Sequence, residues 1–191
     1  MFLARHGETE WNVERRRQGR LDSPLTDAGI EQAHRHASVL RGRGIDGIFV
    51  SPLVRAVATA RVISDRLGLP IEVVDELTEL DHGRFSGLVE GQIDAQFPGQ
   101  RQLRAADKYG WRFPGGESYA DVDIRAARAL DRVSRRPVRN PLLVAHEMIG
   151  RMLQRHLLGL DAHAALARSH PHDVVYQIDL ASRTCREVRE T

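Results

Sequence analysis

Two arginines and two histidines stand directly behind short apolar runs in this sequence. Arg5 and His6 follow the run Phe2 to Ala4, Arg55 lies just beyond "GIFV" (Gly47 to Val50), and His146 with Glu147 follows "PLLVA" (Pro141 to Ala145). A weaker run, Ile71 to Val74, leads into "DELTELDHGRFSG", which contains Glu79. Two guanidiniums and two imidazoles gathered in one place suit a phosphate dianion. Each forked guanidinium offers bidentate hydrogen bonds to phosphate. Opposite unit charges 4 Å apart attract by roughly 4 kcal/mol at an effective dielectric near 20. Backbone N–H groups at helix starts add to this.

The chemistry at such a place narrows by elimination. There is no Walker-type Gly-Lys-Ser/Thr loop and no Cys-x5-Arg signature. The single cysteine, Cys185, has neither a glycine turn nor a partner histidine nearby, and alone it forms no internal disulfide. Metal-assisted hydrolysis needs Asp and His at ligand spacing. The one tight group, "HPHD" (His170 to Asp173), reads instead as a loop lining the pocket mouth or a surface turn. No metal and no cofactor are therefore expected. A histidine nucleophile remains. Neutral imidazole attacks phosphorus well, and neighbouring arginines lower its pKa toward that form.

Something must bring these residues to one edge. The short apolar runs read as buried strands. "DVVYQIDL" (Asp173 to Leu180) alternates more and reads as an edge strand. Helical patterns lie between: from a Thr26 cap to Gly44, from Pro52 to Gly68, from Tyr119 to Arg136, and from Met148 to Leu160. Alternating strands and helices predict an α/β fold of three layers, α/β/α, with a mostly parallel central sheet. In such sheets ligands bind beyond the carboxyl ends of the strands. Residues 92–118, rich in Gly, Pro and cations, break the rhythm and read as an insertion or lid over the active-site end of one domain spanning 1–191.

Bulk properties are those of an ordinary soluble globular protein. A chain of 191 residues can bury roughly 70% of the surface its unfolded form exposes. Of 28 cationic residues only Lys108 is a lysine, and the net charge of +2 is too small for a nucleic-acid binder. No apolar run approaches the ~18 residues of a membrane span, and Arg5 and Glu8 interrupt any signal peptide. The expected setting is cytoplasmic, with a small phosphorylated metabolite as partner, no nucleic acid and no membrane. The alternating edge strand leaves a homodimer open.

Six blocks in order carry a resemblance: "LARHGETEWN", "QGRLDSPLTDAGIEQA", "SPLVRAVATA", "ELTELDHGRFSG", "PGGESYADV" and "LLVAHEMIG". Together they resemble the histidine phosphatase superfamily, the phosphoglycerate mutase-like family. The resemblance implies that His6 is the phosphorylated nucleophile and that Arg5, Arg55 and His146 clamp the phosphoryl oxygens. It places Asn12, Gln18 and Gly19 in the phosphate-binding loop. It makes Glu79 the residue that protonates the leaving oxygen and then activates water, a role that partial burial and a nearby dianion favour. The family needs no metal.

Two positions depart from the family pattern. Glu147 stands where the family usually has glycine, so it must turn away from phosphate or meet a cation or a substrate amine. Ser86-Gly87 stands where the family often has Glu-Gly. Asp81 and His82 are further acid candidates. Other residues read structurally: Trp11 as packing, Ser118 after Glu117 as a helix cap, His34 and His36 on a solvated helix face. Arg101, Arg104, Lys108 and Arg112 serve either a charged substrate tail or a solvated surface.

The expected activity is hydrolysis of a small phosphate monoester through a phosphohistidine. The first alternative is phosphoglycerate mutase-type transfer, disfavoured because the cofactor-dependent mutases carry longer insertions. A second, of another class, is a catalytically weak phospho-ligand binder.

Overall fold

The computed structural model describes residues 1–189; Glu190 and Thr191, the end of the expected domain, lie outside them. Three buried strands form its centre: β1 (Phe2–Arg5), β2 (Gly47–Val50) and β4 (Pro141–Ala145). They pair in parallel in the order β2-β4-β1, and β3 (Ile71–Val73) adds in parallel beside β2. Strands covered on both faces need apolar residues at every position, which is why these runs do not alternate. Leu3, Phe49, Leu143 and Ala145 face one core, whereas Phe2, Ala4, Ile48, Val50, Leu142 and Val144 face the other.

Helices cover both faces. α2 (Asp27–Leu40) and α3 (Val54–Leu67) pack together on one side; α6 (Tyr119–Ser134) and α7 (Glu147–Leu158) pack together on the other. Local chemistry sets their ends. Thr26 caps α2 by accepting from the Gly29 N–H. Ser118 caps α6 in a reciprocal box with Asp121. Gly68 and Gly159 close α3 and α7 in the left-handed conformation that glycine favours. α2 ends four residues before the expected Gly44.

Beyond the parallel part, β5 (Val175–Asp179) runs antiparallel to β1 and β6 (Thr184–Val188) antiparallel to β5. β5 is thus an interior strand, not the expected edge: β6 covers its outer side. β6 gives no strand signal in the sequence because its residues are mostly polar and exposed. Short helices complete the chain: α1 (Glu10–Val13), α4 (Glu90–Gln96), α5 (Gln100–Ala106) and α8 (Ala162–Ala167). α4 and α5 fall in and just before the irregular region 92–118. Phe85, Phe97, Trp111 and Phe113 anchor that region, with Trp111 and Phe113 centroids 4.8 Å apart and Phe85 and Phe97 4.9 Å apart. No helix among the described residues is long and apolar enough to cross a membrane.

Candidate active site

The parallel register delivers the two histidines side by side. Arg5 pairs with Ala145 at the end of the β1–β4 ladder, and the His6 N–H donates to the Ala145 carbonyl at 3.0 Å. The next residues on the two strands are therefore neighbours, and the His6 and His146 rings lie 5.0 Å apart. Both are buried. Two adjacent strands, each continuing one residue past its ladder, produce this pair with no long-range adjustment.

Hydrogen bonds fix how His6 presents itself. Its Nδ1 lies 2.7 Å from the Gly7 carbonyl. A carbonyl only accepts, so the ring proton sits on Nδ1 and the lone pair on Nε2. Arg55 Nε approaches that Nε2 at 3.3 Å. Burial holds the His6 pKa well below its ordinary value, and His146, Arg55 and Arg5 press the same way. The imidazole is thus neutral at physiological pH, with its lone pair facing cations. His146 Nε2 meets the Ser51 hydroxyl at 2.7 Å, while its Nδ1 is buried without a partner.

Arg55, at the start of α3, is almost wholly buried for reasons visible in its contacts. It donates to the carbonyls of Leu21 (2.7 Å) and Gly19 (2.8 Å) and to Asp22 Oδ1 (2.7 Å). The same guanidinium therefore shapes the loop 18–22 and faces His6. Gly19 sits in that loop at φ 56°, where a Cβ would come within 2.9 Å of the His82 backbone nitrogen; the close approach and the positive φ both require glycine. Gln18 donates to Thr9 Oγ1, and Thr9 Oγ1 donates to Asn12 Oδ1 at 2.9 Å, which turns the Asn12 amide nitrogen away from the cap.

Arg5 donates to the His170 carbonyl at 3.1 Å and pairs with Glu147 Oε2 at 3.1 Å. Glu147 also meets Arg151 at 2.6 Å. Its carboxylate is therefore a counter-ion shared by two guanidiniums, which allows it to stand where the family pattern has glycine. Glu79 lies across the pocket at the N-terminus of α7. Its Oε1 accepts from the N–H groups of Leu80 (2.8 Å) and Ile149 (3.0 Å), its Oε2 from Met148 (3.0 Å). Oε2 thus has one backbone donor where Oε1 has two.

These side chains close around a cavity of about 110 Å³ whose walls include Arg5, His6, Asn12, Gln18, Gly19, Arg55, Glu79 and Glu147, joined by Arg16, Arg17, His82 and Met148. His146 stands behind His6 rather than in the wall. Of the further acid candidates, His82 is buried and pushed down to about 3, by burial first and by Arg17, Arg104 and Arg55 next, so it carries no proton to give. Asp81 accepts from the Gly83 N–H at 2.8 Å and is absent from the wall. Among the described residues no group of three or more His, Cys, Asp or Glu is placed to hold a metal ion.

Supporting residues complete the site; His172 belongs to the "HPHD" group, whereas the burial of His36 and the role of Arg125 carry no sequence signal. His172 Nδ1 donates to the His6 carbonyl at 2.6 Å and so pins the strand end. The "HPHD" loop packs against Arg5 and the His6 backbone through His170 and His172 but does not enter the cavity wall. His36 is buried, not solvated as expected; α2 turns it inward. Arg125 on α6 donates to the carbonyls of Glu76 (2.8 Å), Thr78 and Glu79 (3.3 Å), and pairs with Glu117 at 2.9 Å, fixing the segment that carries Glu79. In the amphipathic pattern of α6 it resembles any surface arginine.

The histidine set makes the fold sensitive to acid. Burial is the leading cause that lowers His6, His36, His82, His146, His170 and His172, with His36 and His172 near 4 and His82 and His170 near 3. Unfolding restores ordinary values near 6.5, so below that pH the unfolded chain binds more protons and stability falls as pH falls. Each engaged histidine contributes a slope of about 1.4 kcal/mol per pH unit. A steep drop in thermal midpoint between pH 6.5 and 4 is expected; a flat midpoint over that window would show that these rings are not neutral in the native state.

Comparison with known proteins gives concordant matches. A family model described as histidine phosphatase superfamily (branch 1) matches residues 1–190. The probable phosphoglycerate mutase GpmB of Yersinia pestis is 42% identical over 169 residues, covering 86% of this chain and 77% of that protein. The structure of mycobacterial glucosyl-3-phosphoglycerate phosphatase in complex with VO3 superposes with a TM-score of 0.84 at 34% identity, covering 94% of this chain and 92% of that one. A putative alpha-ribazole-5'-P phosphatase from Escherichia coli gives 0.85 at 26% identity, covering 99% and 96%.

Proposed function

This chain belongs to the histidine phosphatase superfamily, and from that premise we propose that it hydrolyses a small phosphate monoester through a phosphohistidine formed on His6. The observation that carries the reading is the His6 ring itself: proton on Nδ1 toward Gly7, bare Nε2 beside Arg55. The Nε2 lone pair attacks phosphorus in line as the ester P–O bond breaks. Arg5 and Arg55 neutralise charge on the equatorial oxygens, the main contribution a protein can make to phosphoryl transfer. His146, a neutral ring behind His6 and not in the cavity wall, packs against the nucleophile instead of clamping those oxygens. Glu79 gives its proton to the departing oxygen. It then takes a proton from water, which attacks phosphorus, breaks the P–N bond and frees phosphate. Asn12, Gln18 and Gly19 line the loop beneath the transferring group.

A mutase is the second reading, favoured by the 42% identity to a probable phosphoglycerate mutase. It differs only in what accepts the phosphoryl group. Feeding 3-phosphoglycerate with a bisphosphate primer separates the two: free phosphate supports hydrolysis, and accumulation of the 2-isomer overturns it.

The acid role of Glu79 has its own signature. Glu79→Gln keeps the shape but cannot donate to an alkoxide. Its kcat on an alkyl phosphate should drop ~10²- to 10⁴-fold, the usual range for a general acid. On p-nitrophenyl phosphate, whose leaving group needs little protonation, the drop in the phosphorylation step should be much smaller. Equal losses on both esters would exclude proton donation by Glu79.

A further inference from the structure

A larger cavity of about 760 Å³ shares the wall residue Arg17 with the phosphate cavity. Phe85, Ile93 and Phe113 give the larger cavity an apolar wall, and Arg17, Arg104 and Lys108 bring cations to it. The acids nearby are already engaged: Glu90 and Asp94 with Arg101, Glu14 with Arg16, Glu147 with Arg5 and Arg151. No carboxylate pairs with Arg17 or Arg104 among the described residues. Arg104 lies over the Phe113 ring at 5.5 Å instead. Burial lowers its pKa; Tyr119 opposes this, and the charges of Arg17 and Arg151 reinforce it. His82, in the wall of the smaller cavity, is 5% exposed, and neither of its ring nitrogens has a partner. Partly buried cations without counter-ions and a buried imidazole without hydrogen bonds are costly arrangements. They cease to be costly when a ligand supplies the missing charge.

We propose that Arg17 and Arg104, with His82 beside them, form a second anion subsite, so that the enzyme selects phosphate monoesters carrying another anionic group, a carboxylate or a second phosphate. The inference rests on the phosphatase reading above. The ester phosphate sits at His6 while the apolar wall covers the carbon skeleton and the far anion reaches the unpaired guanidiniums. Arg17 lines both cavities, so it is placed to meet both ends of the substrate.

Matched substrate pairs isolate the second charge. 3-Phosphoglycerate is compared with glycerol 3-phosphate, which has a hydroxymethyl in place of the carboxylate. Fructose 1,6-bisphosphate is compared with fructose 6-phosphate. Phosphate release gives kcat/KM for each, with p-nitrophenyl phosphate as a reporter of the reaction itself. In the unaltered enzyme at least one doubly anionic member should be preferred tenfold or more, and which pair responds identifies carboxylate or phosphate. Arg17→Gln/Arg104→Gln should reduce that preference ratio at least tenfold, and Arg104→Lys should retain most of it. A variant that merely disturbs the fold lowers both members together and leaves the ratio unchanged. No preference in either pair, or a ratio within twofold of the original in the double variant, overturns the subsite while p-nitrophenyl phosphate turnover still upholds the phosphatase. Failure to release phosphate from any of the five esters sinks the phosphatase reading, and the subsite with it.

Discussion

His6→Ala should abolish phosphate release, by at least ~10⁴-fold in kcat on any ester, because it removes the atom that bonds to phosphorus. The loss should not follow from unfolding. Alanine deletes a buried neutral ring whose principal hydrogen bond is one donation to the Gly7 carbonyl, a change worth on the order of 1–3 kcal/mol. Thermal midpoints of the two proteins should therefore lie close enough for activity to be compared at 25 °C. Two measurements check the assignment together. Enzyme exposed to substrate and quenched in alkaline denaturant should show a phosphoryl adduct at His6 by mass spectrometry, and acid treatment should remove it. The alanine variant should show none. Residual turnover within tenfold of the original, or an adduct elsewhere, would move the nucleophile to another residue. His146 is the natural rival, since it lies 5.0 Å away and is equally buried. Its Nε2, however, is already engaged by Ser51, and its free Nδ1 belongs to a ring outside the cavity wall.

Strand physics explains why these residues are legible in the amino-acid sequence. β1, β2 and β4 are covered on both faces, so each reads as a solid apolar run, and the first polar residue after each run marks the sheet's carboxyl edge. Arg5, His6 and His146 announce themselves that way, and Arg55 follows five residues past Val50 in the first turn of α3. β6 does the opposite. Its outer edge is unpaired, Arg186 and Glu187 face solvent, and nothing in "TCREV" competes with a turn reading. How deep the supporting histidines lie is hidden for another reason. His36 sits in a polar stretch and His172 shows only as a member of the "HPHD" group, and burial of a polar side chain is decided by tertiary packing rather than by local pattern. Glu147 stands out in the sequence as an oddity, but local pattern does not reveal both of its partners: Arg151 is one helical turn on, whereas Arg5 comes from a strand far away along the chain.

Arg55→Ala should cost both activity and stability, which distinguishes it from His6→Ala. The Arg55 guanidinium is 2% exposed and holds four acceptors: two carbonyls of the loop 18–22, Asp22 Oδ1 and His6 Nε2. Truncation leaves the Gly19 and Leu21 carbonyls without these donors and the Asp22 carboxylate without its partner. Breaking a buried pair in this way costs about 3–5 kcal/mol. An arginine that stabilises a transferring phosphoryl group is worth about 10³–10⁵ in kcat. Arg55→Lys should recover little of either, because a single ammonium cannot reach acceptors arranged around a planar fork. Arg5→Ala provides the contrast. Arg5 is more exposed, and its partners are one carbonyl and a carboxylate that keeps Arg151 when Arg5 is gone. It should lose activity with a smaller loss of stability. Urea midpoints rank the two, and a double variant adding Asp22→Asn tests the cause. If the loop is held through the Asp22 pair, Asp22→Asn should be destabilising in the Arg55→Ala background by clearly less than it is alone. Additive losses, or an Arg55→Ala stability within ~1 kcal/mol of the original, would mean that this guanidinium serves the phosphate alone and does not build the loop around it.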